Sequence, residues 1–162
     1  MTTPPRSDNM TGNMKRKMRH AARFFAVQAL FQMEHSDLSV DRVRIEFLNH
    51  RFGELLDGQE MLEGDEAHFT RVLEGVVAHQ AAIDQSTDRA LVQKWPIARL
   101  DPTLRALFRA AGAEFRDKGI PPKVVIAEYL DIAASFFPDG KETRFVNAIL
   151  DFMAREARPE TF

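Results

Sequence analysis

The chain reads as an all-α protein of about seven helices in two packed helical subdomains, the first carrying a basic arm. Three observations predict this. Apolar residues recur at spacings of three and four along most of the chain. Runs of alternating apolar and polar residues, the signature of half-buried strands, are almost absent. Gly and Pro cut the periodic stretches into short pieces. The 162 residues, 44% of them apolar, suffice for one domain or two small subdomains sharing a core.

Residues 1–14 (MTTPPRSDNMTGNM) are small and polar and read as a disordered leader. The first helix is predicted over 18–35, where Ala22, Phe25, Ala26, Ala29, Leu30 and Met33 form one apolar face. Phe24, Val27 and Phe31 widen that face, so the helix is expected to be central. Ser36–Ser39 is a loop signal. A second helix is expected over 40–57 through Val43, Phe47, Leu48, Phe52, Leu55 and Leu56, ended by Gly58. Two further helices, 65–79 and 81–92, are separated by a polar break at 79–80.

Trp95-Pro96 marks a linker, because Pro disfavours helical geometry in the residue before it. It divides the chain into an N-terminal subdomain over 15–94 and a C-terminal one over 95–162. Asp101-Pro102 then supplies an N-cap acceptor and a Pro at the first helical position. The helix it opens runs to about 117, and Gly119 stops it. Pro121-Pro122 starts the next, to about 137, with two apolar rows led by Val125 and Ile126. Pro138-Asp139-Gly140 is a turn. The last helix spans 141–156 and buries Phe145, Val146, Ile149, Leu150 and Met153.

Charge is distributed unevenly. Residues 1–31 hold six Lys or Arg and one acidic residue; the remaining 131 hold sixteen basic and twenty-three acidic residues. The whole-chain value of −2 therefore conceals a basic N-terminal stretch, K-R-K-M-R-H-A-A-R at 15–23, on an acidic body. Such a footprint suits an anionic partner held at one place, not a protein that coats nucleic acid along its length. Arg19 and Arg23 are four apart, on one side of the predicted helix, where they can point at the same partner. A solubilising tail and a membrane-surface helix are the competing readings. The apolar face of this helix is better explained by packing against other helices.

Signals of catalysis or metal binding are weak. There is neither a G-x-x-x-x-G-K nor a G-x-G-x-x-G loop, and no G-x-S-x-G elbow. The chain has no Cys, and its five His lack metal-ligand spacing. No cofactor or metal is expected. Asp84 and Asp88 are four apart, which reads as helix-surface charge. No apolar run is long enough to span a membrane, and the N-terminus lacks a signal-peptide core, so a cytoplasmic location is the default. Glu114, Glu128 and Asn147 interrupt apolar helical segments. As structural polar residues they would pin helix packing through hydrogen bonds or lie on a helix surface.

The segments A-A-R-F-F-A-V-Q-A-L-F (21–31), W-P-I-A-R-L (95–100), L-R-A-L-F-R-A-A-G-A-E-F (104–115), P-K-V-V-I-A-E-Y-L-D-I-A-A-S-F (122–136) and R-F-V-N-A-I-L-D (144–151) carry a resemblance. Taken in order, they resemble the transcription antitermination factor NusB family over roughly 18–155. The resemblance implies an all-helical, non-catalytic protein. It implies binding to single-stranded boxA-type RNA in ribosomal RNA operon leaders, together with a small-subunit ribosomal protein (NusE). It also implies joining the RNA polymerase elongation complex with other Nus factors. The family's arginine-rich helix start maps to Arg19 and Arg23, with Lys15, Arg16 and Lys17 as auxiliaries. Phe31 falls where the family often has Tyr; a phenyl ring can stack on a base but donates no hydroxyl hydrogen bond. Ala127 replaces a usual Asn, and Ala148 replaces a common Gly. Two alternative readings are a protein-interaction scaffold with little direct RNA binding, and the RNA-binding region of a ribosomal RNA methyltransferase.

Overall fold

The computed structural model describes residues 12–50, 55–56, 59–60, 65–91 and 100–162. Helix α1 spans Gly12–Glu34, α2 Val40–His50, α3 Glu66–Ala90, α4 Pro102–Phe115, α5 Pro122–Phe136 and α6 Thr143–Ala157. A short 3-10 turn, Pro159–Thr161, follows α6. Among the described residues the fold is all-α apart from one small antiparallel pair, β1 (Leu55–Leu56) and β2 (Gln59–Glu60), in which Leu55 pairs with Glu60 and Leu56 with Gln59.

The differences from the sequence reading are local. The described part of α1 starts at Gly12, so residues 12–14, expected in a disordered leader, are helical; residues 1–11 of that leader lie outside the described residues. The second helix was expected to reach 57. Its described part ends at His50, and Leu55 and Leu56 pair as a strand. Apolar spacing alone does not separate a helix end from the arm of a short hairpin. The stop at Gly58 and the linker at Trp95-Pro96 lie outside the described residues. The break expected at 79–80 is a kink: His79 has φ −127 and ψ 16 inside an otherwise continuous α3.

Local chemistry explains the helix starts. The Asp65 side chain accepts from the His68 N–H at 2.9 Å, capping α3. The Asp65 N–H itself donates to the Met18 carbonyl at 3.0 Å, which ties the start of α3 to α1. Asp101 caps α4 through the Thr103 N–H at 2.8 Å, and Pro102 follows as the sequence predicts. Between α5 and α6, Gly140 takes φ +73, a left-handed geometry that a Cβ disfavours.

Helix α4 is the axis of the packing. Leu104, Ala106, Leu107, Phe108, Ala110, Ala111 and Phe115 are all buried, as are Arg105 and Glu114, so the helix is enclosed nearly all round. It lies against α1, α3, α5 and α6. The α3–α4 crossing is close. A Cβ added at Gly112 would stand 2.4 Å from Ile83 Cγ2, so glycine is what permits this approach. Phe24 on α1 stacks on Phe136 of α5 with ring centroids 5.2 Å apart. The result is one contiguous core drawing on all six helices.

Candidate nucleic-acid interface

Helix α1 has two unlike ends. Its C-terminal two-thirds buries Ala21, Ala22, Phe25, Ala26, Val27, Ala29 and Leu30. Its first turns carry Lys15, Arg16, Lys17 and Arg19, all exposed. Among the described residues, Lys15, Arg16 and Lys17 make no ion pair, and the first turn holds no acidic residue. Cations at a helix N-terminus face the positive end of the helix dipole, an arrangement the isolated helix disfavours. An external polyanion would relieve it. Arg19, with its side chain 44% exposed, lies 4.0 Å from Asp65 Oδ2, a loose contact that leaves the guanidinium open to solvent.

Arg23 is placed differently. It is only 2% exposed, and its Nε donates to both carboxylate oxygens of Glu114 on α4, at 3.0 and 2.9 Å. Arg19 and Arg23 share a helix stripe but face opposite environments. The expectation that both point at one partner is not what the packing produces. Glu114 also takes hydrogen bonds from His68 Nε2 at 2.8 Å and from the Tyr129 hydroxyl. One buried carboxylate on α4 thus receives donors from α1, α3 and α5.

The electrostatics follow from this crowding. Burial alone would push the Glu114 carboxyl up, but hydrogen bonds from His68 and Arg23 outweigh it and hold the group down at about 2. Burial works against the Arg23 charge too, and the Glu114 carboxylate more than offsets it, raising Arg23 above its ordinary value. Burial, reinforced by the Glu114 charge, pushes the Tyr129 phenol well up, so it stays a donor. His68 Nδ1 faces Arg71 Nη2 at 3.4 Å. A guanidinium only donates, so Nδ1 accepts and Nε2 carries the proton given to Glu114.

Glu128 links this interior to the surface. Its Oε2 lies 2.6 Å from His20 Nδ1 and 3.7 Å from Arg23 Nη1, and His20 Nε2 lies 3.3 Å from Asp131 Oδ2. Two carboxylates on α5 thereby grip one imidazole on α1. Sequence reasoning missed His20, His68, Tyr129 and Asp131. The matched i, i+3 spacing of His20 with Arg23 and of Glu128 with Asp131 is the signal that finds part of this set.

The remaining predicted residues lie elsewhere. Phe31 is 38% exposed, stacks on His35 at 4.3 Å between centroids, and lines a largely apolar cavity of about 430 Å³ with Phe47 and Phe136. Asn147 is on the surface of α6, beside Lys123, Asp151 and Phe162. It pins no helix packing, because the apolar stripe of α6 runs through its neighbours Val146, Ile149 and Leu150. Ala127 and Ala148 are likewise exposed. No group of His, Asp and Glu that could hold a metal ion occurs among the described residues, and no helix there is long and apolar enough to cross a membrane.

The NusB family pattern matches residues 20–155. The transcription antitermination protein NusB of Maricaulis maris (strain MCS10) is 45% identical over 147 residues, covering 90% of this chain and 91% of that protein. The protein of the same name from Caulobacter vibrioides is 45% identical over 150 residues, covering 92% and 99%. Among solved structures, T. maritima NusB superposes with a TM-score of 0.70 at 29% identity, covering 89% of this chain and 96% of that one. A chain in the crystal structure of a plectonemic RNA supercoil shares the fold, with a TM-score of 0.69 at 20% identity over 88% of this chain and 95% of that one. The all-helical fold and these similarities define a non-catalytic transcription factor. The chain belongs to the NusB family of transcription antitermination proteins.

Proposed function

We propose that this protein binds single-stranded boxA-type RNA from ribosomal RNA operon leaders. It does so with a small-subunit ribosomal protein (NusE) and joins RNA polymerase and other Nus factors in the cytoplasm to sustain elongation. Family membership supports the antitermination role. The observation that carries the RNA reading is the exposed set Lys15, Arg16, Lys17 and Arg19 along the first described turns of α1. Flexible cations of this kind neutralise phosphates without reading bases. Phe31, exposed beside an apolar cavity on the same helix, offers a stacking surface for a base.

The test is a salt series of RNA affinity, with and without the ribosomal partner. For single strands the slope of log K against log salt is about −0.7 per neutralised phosphate. The variant K15A/R16A/R19A is expected to flatten that slope by about 2. F31A is expected to weaken binding by about 1 to 3 kcal/mol at an unchanged slope. A triple variant whose slope equals the parent's would place the RNA on another surface.

A further inference from the structure

Arg23 is a charged residue inside the buried, otherwise apolar part of α1. We propose that Arg23 and Glu114 form a positioning pair that fixes how α1 presents Lys15, Arg16, Lys17 and Arg19 to RNA, and that Arg23 itself touches no phosphate. The proposal rests on the RNA reading above and assigns a different task to a residue of the same basic stretch.

Four observations support it. Both partners are 2% exposed, so neither reaches a phosphate while the core stays closed. The guanidinium is held on one side by Nε, which serves both oxygens of Glu114, and Nη1 lies at ion-pair distance, 3.7 Å, from Glu128. Withdrawing Arg23 toward RNA would strand a buried carboxylate that also holds His68 and Tyr129. Finally, the pair lies at the boundary between the two parts of α1. Lys15 is eight residues away, roughly 12 Å along the axis, so a tilt of about 10° at Arg23 moves it by about 2 Å. The His20 grip by Glu128 and Asp131, and the Asp65 N–H to the Met18 carbonyl, brace the same segment from α5 and α3.

The experiment uses the full chain and a short single-stranded boxA-type RNA. Affinity is measured across a salt series for the parent, R19A, E114Q, R23Q and R23Q/E114Q, each below its thermal unfolding transition. E114Q removes no cation, and its side chain cannot reach RNA. A positioning pair predicts that E114Q and R23Q each lose about tenfold in affinity at the parent's slope, whereas R19A flattens the slope by about 0.7. The double variant, which leaves no unpaired charge, keeps the fold and the parent's slope.

Arginine-selective dicarbonyl labelling of the native protein, read by mass spectrometry, supplies a mutation-free arm. Arg19 should react in the free protein and be protected by RNA. Arg23 should be unreactive in both states. A flattened slope for R23Q, or an Arg23 that labels and is then protected, overturns the proposal while the RNA reading stands. A folded E114Q that binds as tightly as the parent also overturns it, by reducing the pair to a stability element. A parent with no salt-dependent RNA affinity removes both the RNA reading and the proposal.

Discussion

The Arg109 guanidinium on α4 meets the Asp84 carboxylate on α3 edge to edge, with Nε to Oδ1 and Nη2 to Oδ2 both 3.0 Å. In sequence, Asp84 paired with Asp88 at helical spacing reads as surface charge; in the fold Asp84 closes an interhelical fork. Arg109 Nη1 also lies 3.2 Å from Glu34 on α1, and Arg105 clasps the same Glu34. This second network joins three helices without contacting the basic start of α1. D84A should cost about 1 to 2 kcal/mol of stability, because a charge-assisted pair with little exposure is lost. RNA affinity should not change. Urea unfolding checks the first statement and a binding titration the second.

Acid should find the Glu114 site. Its folded-state value of about 2 lies below the ordinary 4.5. The stabilisation is therefore complete above the ordinary value and is lost as pH falls toward 2. The shift corresponds to on the order of 3 kcal/mol of pH-dependent stability. Urea midpoints measured from about pH 5 downward should fall for the parent and fall less for E114Q. Near neutral pH, E114Q should already be less stable.

Lys15 sets stability against binding. It sits near the N-terminus of α1, where no acidic residue balances the dipole. K15E should stabilise the start of the helix by about 0.3 to 1 kcal/mol and slow amide exchange in the turns that follow. The same change should weaken RNA binding. Opposite signs in the two measurements would separate a functional cation from a structural one.

Gly112 tests the close crossing of α3 and α4. G112A should cost about 1 to 3 kcal/mol, since the new methyl meets Ile83 Cγ2 at 2.4 Å and Met153 Cε at 3.2 Å. Cγ2 sits on a β-branched carbon held by the helix backbone, so it has little freedom to yield. Adding I83A should recover part of the loss. Thermal melts of the single and double variants measure both effects.

Much of this fold is legible in the chain. The spacing of Ala22, Phe25, Ala26, Ala29 and Leu30 locates the buried face of α1, and Asp101-Pro102 starts α4 where expected. The polar break at 79–80 appears as the His79 kink. The fate of Arg23 was less accessible. Periodicity assigns a residue to a stripe, and Arg19 and Arg23 share one. What faces that stripe is decided by Glu114, 91 residues further on. A local hint does exist. Arg23 sits among Ala21, Ala22, Phe24 and Phe25 and one turn before Val27, whereas Arg19 follows three polar or charged residues and one Met. Asn147 misleads for the complementary reason. Its neighbours are apolar, yet the narrow stripe of α6 passes beside it.

The Glu114 cluster also limits how this protein can change. Arg23, His68 and Tyr129 lie on three different helices and converge on one carboxylate. Replacing Glu114 strands three donors at once, while replacing any one donor leaves the acid with two. Single-step paths away from the arrangement therefore pass through a less stable protein, and an apolar substitute requires several positions to change together. The exposed cations at 15–17 carry no such interdependence and can be exchanged one at a time. The basic edge is thus free to drift in charge and spacing on a base that is hard to alter.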